Sequence, residues 1–222
     1  MRVWTFSSQK GGSGKSTLST QLAVHATECG ERVLIVDVDP QGSAEVWHQK
    51  RGVDRHPGAL RCLPEKLAKV LDGAANLQQT LVMIDTAPHS DRHALVAMRA
   101  ADLVIAPTQA SLFDLAALQD TASLLDNAGL KDRAVVVVNC VPPGKGEQAV
   151  FEEAKSVVSQ YGLRICQSYV CHRRPFVTST NEGKGVTEIG GAKAAADEIR
   201  ALWLALNAFS PIAATRKPEA AR

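Results

Sequence analysis

Residues 10–16, Lys10-Gly11-Gly12-Ser13-Gly14-Lys15-Ser16, constrain this chain more than any other stretch. An apolar run, Val3 to Phe6, leads into them, and a helix-like run, Thr17 to Thr27, leads away. A strand, a glycine-rich turn and a helix N-terminus in that order form a cradle for phosphate. Backbone N–H groups and the helix dipole point at the anion, Lys15 brings a cation to the terminal phosphates, and the Ser16 hydroxyl can ligate magnesium. Gly11, Gly12 and Gly14 let the phosphate approach, because no Cβ intervenes and φ is free to turn positive. The usual spacing of such a loop asks for a glycine at position 9. This chain has Gln9 there and places a second lysine, Lys10, directly before the glycine pair.

The rest of the chain alternates Val- and Ile-rich apolar runs with longer helical patterns, the signature of a parallel sheet covered on both sides. Strands are expected near 2–7, 32–37, 59–63, 81–85, 102–106, 133–139 and 165–171. Helices are expected near 15–29, 43–51, 64–77, 90–100, 113–128, 147–161 and 192–208. Gly30 and Gly129 sit where glycine closes a helix, and Pro64 suits a first helical turn. The expected fold is α/β, a mostly parallel twisted sheet with helices on both faces. It forms one domain over residues 1–208, followed by a fraying tail over 209–222 that is rich in Ala, Pro and charge. At 222 residues the chain suffices for one large domain and is short for two.

Three acidic side chains close apolar strands. Asp37 and Asp39 follow Val33 to Val36, two apart and so on one side of an extended chain, at the edge where parallel sheets bind ligands. Capping of the following helix is the other use for such a pair. Asp85 follows Leu81 to Ile84, an unusual ending for a buried strand unless the carboxylate has a task. Asn139 ends the run Val135 to Val138; its amide can read adenine with donor and acceptor together, or simply form a turn.

Taken with Asp37-Val38-Asp39-Pro40-Gln41-Gly42, Leu81 to Pro88, Ile105 to Ser111 with Asp114-Leu115, and Val135 to Asn139, the Lys10 loop resembles the deviant Walker A box of the ParA/MinD family of ATPases. The resemblance spans roughly residues 1–206 and implies a P-loop NTPase fold with ATP and Mg2+ as cofactors. It implies that Gly11, Gly12, Ser13, Gly14, Lys15, Ser16 and Thr17 hold the nucleotide, with Asn139 and Pro107 near the base. Ser16, Asp37 and Asp85 fall to the magnesium shell, and Asp39 to orienting the attacking water. Lys10 is the signature lysine that crosses a homodimer formed on ATP binding and touches the partner's phosphates. Thr86 to His89 would form a switch that senses the γ-phosphate.

Bulk properties narrow the partners. The net charge is only +2, yet between Leu163 and Lys193 five basic residues face two acidic ones. Arg164, Arg173, Arg174, Lys184 and Lys193, extended by Arg200, are the candidate contacts to nonspecific double-stranded DNA; scattered surface charge is the plainer alternative. No apolar run reaches the roughly 18 residues a membrane span needs, and the charged, proline-containing C-terminus lacks an amphipathic membrane face. Five cysteines without a CxxC pair fit reduced thiols in a cytoplasm. His89 and His93 have zinc-compatible spacing but no evident third ligand, and Cys166 and Cys171 fall on opposite faces of their strand.

The function these features imply is a cytoplasmic, nucleoid-associated ATPase for plasmid or chromosome partition. ATP would assemble a dimer that coats DNA, and hydrolysis stimulated by a ParB-like centromere-binding adaptor would release it. The loop begins close to Met1, so the helix-turn-helix extension of longer partition ATPases is not expected. The alternatives are a related positioner of another cargo, such as a chemoreceptor cluster or a microcompartment, and a P-loop metabolite kinase or ligase.

Overall fold

Alternation along the strands divides the core into two halves, one on each side of a single sheet. In the computed structural model, which describes residues 1–88 and 91–209, seven strands pair side by side. They are β1 (Arg2–Phe6), β2 (Val33–Asp37), β3 (Gly58–Arg61), β4 (Leu81–Asp85), β5 (Leu103–Thr108), β6 (Ala134–Val138) and β7 (Arg164–Ile165). Their spatial order is β3-β2-β4-β1-β5-β6-β7, and every pairing is parallel. Trp4, Phe6, Ile35, Met83, Ile105 and Val137 point to one side, into a core shared with α1 (Lys15–Glu28), α2 (Ser43–Arg51), α7 (Arg174–Asn181) and α8 (Lys193–Phe209). Their strand neighbours Val3, Val36, Val82 and Ile84 point to the other side, toward α3 (Leu67–Asn76) and α4 (Asp91–Ala100). Val104, Ala106, Val136 and Val138 do the same toward α5 (Leu112–Asn127) and α6 (Glu147–Gln160). Strands buried on both faces explain why they read as unbroken apolar runs.

The strand order positions the site. β1 lies between β4 and β5, so the chain crosses over β1 when it passes from β4 to β5. The loops that leave the C-terminal ends of β1, β2, β4 and β5 therefore meet at one crevice, the place where open α/β sheets bind ligands.

Local chemistry accounts for most element ends. Gly30 and Gly129 take positive φ, 91° and 68°, just past α1 and α5. Pro64 opens a short 3-10 turn (Pro64–Lys66) that runs into α3. Three expectations need correction. The strand expected over 165–171 shrinks to Arg164–Ile165, continued by a lone bridge between Val141 and Cys171. Helix α7 was not expected; it opens at Arg174-Pro175, where proline is tolerated, and is anchored through Gln21 of α1. The Gln21 amide donates to Ser179 Oγ (3.2 Å) and accepts from Val186 N (2.6 Å), contacts between residues about 160 positions apart. Lastly, β5 runs on through Pro107 to Thr108. The Ile105 carbonyl accepts from Ser7 N and the Thr108 carbonyl from Asn139 N, so alternation turns the Pro107 nitrogen toward β1, beyond the last β1 pair. No ladder bond is lost there. Of the expected tail, Phe209 completes α8, and 210–222 lie outside the described residues.

Candidate functional site: a nucleotide groove in two chambers

The glycine loop behaves as its composition predicts. Gly12 and Gly14 have φ of 76° and 98°, and Gly14 caps α1, whose first residue is Lys15. Two side chains from distant strands brace this loop. Asn139, at the end of β6, donates from Nδ2 to the Ser13 carbonyl (2.9 Å), and Gln109, beyond β5, donates to the Gly12 carbonyl (2.9 Å). A Cβ on Gly14 would lie 2.0 Å from Asn139 Nδ2, so only glycine fits there.

On one side of the loop is a polar chamber of about 330 Å³ whose walls include Gly11, Lys15, Ser16, Asp39, Gln41 and Pro88. On the other is a more apolar chamber of about 300 Å³, walled by Leu18, Asn139, Cys140, Val170, Phe176 and Val177 among others. Gly12, Gly14 and Thr17 line both, so the two chambers form one groove bent around the loop. Its dimensions and polarity suit phosphates on one side and a purine with its ribose on the other.

Lys15 is buried, and its Nζ donates to the carbonyls of Ser8 (3.3 Å) and Lys10 (3.2 Å). It makes no ion pair among the described residues. Burial pulls its ammonium below the usual lysine range, while the Asp85 and Asp39 carboxylates push it back. Such a cation is poised for an anion that enters the chamber. Asp85 is fully buried, and neither of its oxygens has a hydrogen-bond partner. Burial pushes its carboxyl up to about 7, and the Ser16 hydroxyl stands near enough to hold it down without closing a hydrogen bond. An orphaned buried carboxylate next to a serine hydroxyl at a phosphate loop fits a magnesium ion; Ser16 and Asp85 would hold it.

The carboxylates of the second strand separate. Asp39 lines the polar chamber with its backbone turned in by a bond from Gln41 N to Oδ1 (2.8 Å). Asp37 does not line it. Its Oδ1 accepts from Asp39 N (3.0 Å), and its Oδ2 accepts from Ala44 N (2.8 Å) and Glu45 N (3.3 Å). Burial raises this carboxyl while those three N–H groups lower it. The structure thus has Asp37 hold the N-terminus of α2 and the bend before it, beside Asp85 in the neighbouring strand. Pro107 is likewise absent from the walls of the apolar chamber, because it is buried inside β5.

Lys10 reaches sideways to α5, where its Nζ pairs with Asp114 Oδ1 at 2.9 Å. Asp114 is itself held by the Ser111 hydroxyl, which caps α5. The sequence misses Ser8 as a site residue and presents Gln109 and Asp114 only as part of a family-matching loop, with no role of their own.

Five of the six basic residues expected to contact DNA have partners within the chain. Lys184 pairs with Glu182 (2.9 Å), Lys193 with Asp197 (2.8 Å) and Arg200 with Asp197 (2.9 Å). Arg164 bonds the Ala134 and Asp132 carbonyls and lies over the Phe209 ring. Arg173 lines the apolar chamber and pairs with Glu198 (2.7 Å) and Glu147 (3.6 Å). Exposed Arg174, at the start of α7, is the one of the six with no side-chain partner among the described residues. Of the expected switch, Thr86 donates to the Phe6 carbonyl (2.9 Å), and His89 lies outside the described residues. His93 stands 4.0 Å from Glu65. No helix among the described residues is long and apolar enough to cross a membrane.

Comparison with known proteins agrees with this geometry. Over 198 residues the chain is 31% identical to the maintenance of carboxysome distribution protein A of Gloeobacter kilaueensis, covering 87% of each. It is 30% identical over 159 residues to the chromosome partitioning protein ParA of Caulobacter vibrioides, 53% of this chain and 60% of that one. Among solved structures, a complex of Cyanothece McdA with ATP superposes with a TM-score of 0.69 at 19% identity, covering 93% of this chain and 96% of the other. The family described as the CobQ/CobB/MinD/ParA nucleotide binding domain matches residues 4–186, the span from the first strand through the bend after α7 that encloses both chambers, and the chain belongs to that family.

Proposed function

We propose that the chain is an ATP-hydrolysing switch of the ParA kind that dimerises around ATP, binds DNA nonspecifically in that state, and so moves or spaces a cargo. The observation that carries this reading is the bent groove itself, with Asp39 on the wall of its phosphate chamber and Lys10 at its rim. Lys15 and the loop N–H groups bind the terminal phosphates. Asn139 has one amide end tied to Ser13, which leaves its Oδ1 as an acceptor toward the base chamber; an acceptor there suits the exocyclic amine of adenine and opposes the carbonyl of guanine. Asp39 accepts a proton from, and orients, the attacking water. Magnesium, when bound, neutralises charge on the phosphates. The cargo is set by an adaptor; near full-length likeness to a carboxysome distribution protein favours a positioner of a protein assembly over a DNA segregator, whose likeness covers about half of this chain.

Binding to random-sequence duplex DNA with ATP, with ADP and without nucleotide tests the reading. Salt-sensitive binding only with ATP is expected, with loss in Lys10→Ala. Asp39→Ala is expected to keep ATP-dependent DNA binding while hydrolysis falls about 100-fold or more. ATP turnover that requires a small-molecule acceptor, with no nucleotide-dependent dimer, would overturn it in favour of a metabolite kinase or ligase.

A further inference from the structure

The last turn of α1 carries a second cluster of reactive groups, at the opposite end of the helix from the phosphate loop. His25, Glu28 and Cys29 are spaced i, i+3 and i+4, so they share one face. Cys29 Sγ lies 3.6 Å from His25 Nε2, and His25 Nδ1 lies 3.1 Å from Glu28 Oε2. The other Glu28 oxygen accepts from the Thr187 hydroxyl at 2.7 Å, which fixes the carboxylate in turn. A carboxylate on Nδ1 keeps the imidazole proton there and leaves Nε2 as the acceptor facing the thiol. His25 is almost buried, edge-on to Trp203 of α8 with ring centroids 6.4 Å apart, whereas Cys29 is exposed. A nucleophile, a base and an orienting acid are thus in line on an open surface. None of them takes part in the nucleotide groove.

We infer that Cys29 is a thiol–disulfide exchange site for small disulfides, with His25 as its base and Glu28 as the positioning residue. His25 Nε2 takes the Sγ proton as the sulfur attacks one sulfur of the incoming disulfide. The new S–S bond forms, the old one breaks, and the departing thiolate leaves with the electron pair and picks up the proton. The Cys29 thiol is oxidised to a mixed disulfide, and the reagent is reduced to one thiol. The groups around Cys29 make the base necessary. Burial, together with Glu28 and Glu31 (itself paired with Arg2 of β1), raises the thiol above its usual range, against a lowering by the Trp203 indole. Free thiolate is therefore scarce near neutrality. The remaining cysteines lack this arrangement: Cys166 and Cys171 are buried, and Cys62 and Cys140 half-buried with their thiols raised by burial.

The test is the rate at which the folded full chain reacts with 5,5′-dithiobis(2-nitrobenzoate) and with oxidised glutathione. One fast equivalent is expected, lost in Cys29→Ser. The wild-type rate is expected to depend only weakly on pH around neutrality, because His25 takes the thiol proton during the attack. In His25→Gln it is expected to be about tenfold or more lower at pH 7 and to climb about tenfold per pH unit, as for an unassisted thiol. Glu28→Gln, at an exposed carboxylate, serves as the second variant and should shift the wild-type profile and lower the rate without changing the thermal midpoint. ATP should leave the fast rate unchanged, because the 14 residues of α1 separate the thiol from the loop by about 20 Å. A fast phase that survives Cys29→Ser, or a wild-type profile that climbs like that of a free thiol, would overturn the inference. Neither result depends on whether the chain hydrolyses ATP.

Discussion

At the scale of single residues, the most informative side chain is Asp85. Its carboxyl sits at about 7 in the folded chain against 3.8 for the ordinary group. Between about pH 4 and 7 the folded chain holds a proton there that the unfolded chain has lost. This group alone therefore makes stability fall as pH rises across that window, by about 4 kcal/mol, and leaves it level above pH 7. Urea denaturation of wild type and Asp85→Asn without nucleotide, at several pH values, should show the wild-type curve falling more steeply than the variant's. Magnesium with nucleotide should stabilise the wild type above pH 7 by more than it stabilises Asp85→Asn, because an ionised Asp85 adds to the hold on the cation. The placement of Asp85 was legible in the sequence, since a carboxylate that ends an apolar strand must meet something inside the protein. The separate duties of Asp37 and Asp39 were not. The spacing of two put both on one side of the strand, but the tight bend at Pro40 and the start of α2 claimed the first of them.

At the scale of elements, α2 and α7 owe their positions to contacts that a local pattern does not reveal. Asp37→Ala would strand the N–H groups of Asp39, Ala44 and Glu45 at the start of α2, a loss of about 2–4 kcal/mol together with a loosened Asp39. Denaturant unfolding should show the first effect, and slower ATP hydrolysis the second. At the other end of α2, Gly183 meets backbone: a Cβ there would stand 2.2 Å from Arg51 N, and φ is 66°. Gly183→Ala should cost about 2 kcal/mol or more and lower the thermal midpoint by about 5 °C, since neither partner can turn aside. The same junction holds Arg51 between the Gly183 carbonyl (3.0 Å) and Glu188 (2.8 Å). Strands were readable because their burial on both faces writes an unbroken apolar run. Helix α7, with eight residues and a proline near its start, carries too short a pattern to stand out, and it exists because Gln21 and the α1 face receive it.

At the scale of the whole molecule, the pair Lys10–Asp114 ties the rim of the groove to α5 within one chain. On the proposed reading, Lys10 must leave Asp114 before it reaches a second chain's phosphates, and the pair would then oppose dimerisation. Asp114→Asn, which keeps the shape and removes the charge, should lower the concentration for ATP-dependent dimerisation severalfold in sedimentation velocity, and Lys10→Ala should abolish the dimer. An unchanged dimer in Asp114→Asn would mean that the contact has no part in assembly. The sequence by itself determined the phosphate cradle, the parallel α/β architecture and the end of the sheet where the site lies, because these follow from backbone geometry and burial period over a few neighbouring residues. Only the tertiary structure decided that Asn139 and Gln109 brace the loop, that Lys10 rests on Asp114, and that Gln21 receives α7. Those outcomes depend on groups tens to more than a hundred positions apart, and a charge or an amide has no fixed role until folding has chosen its partner.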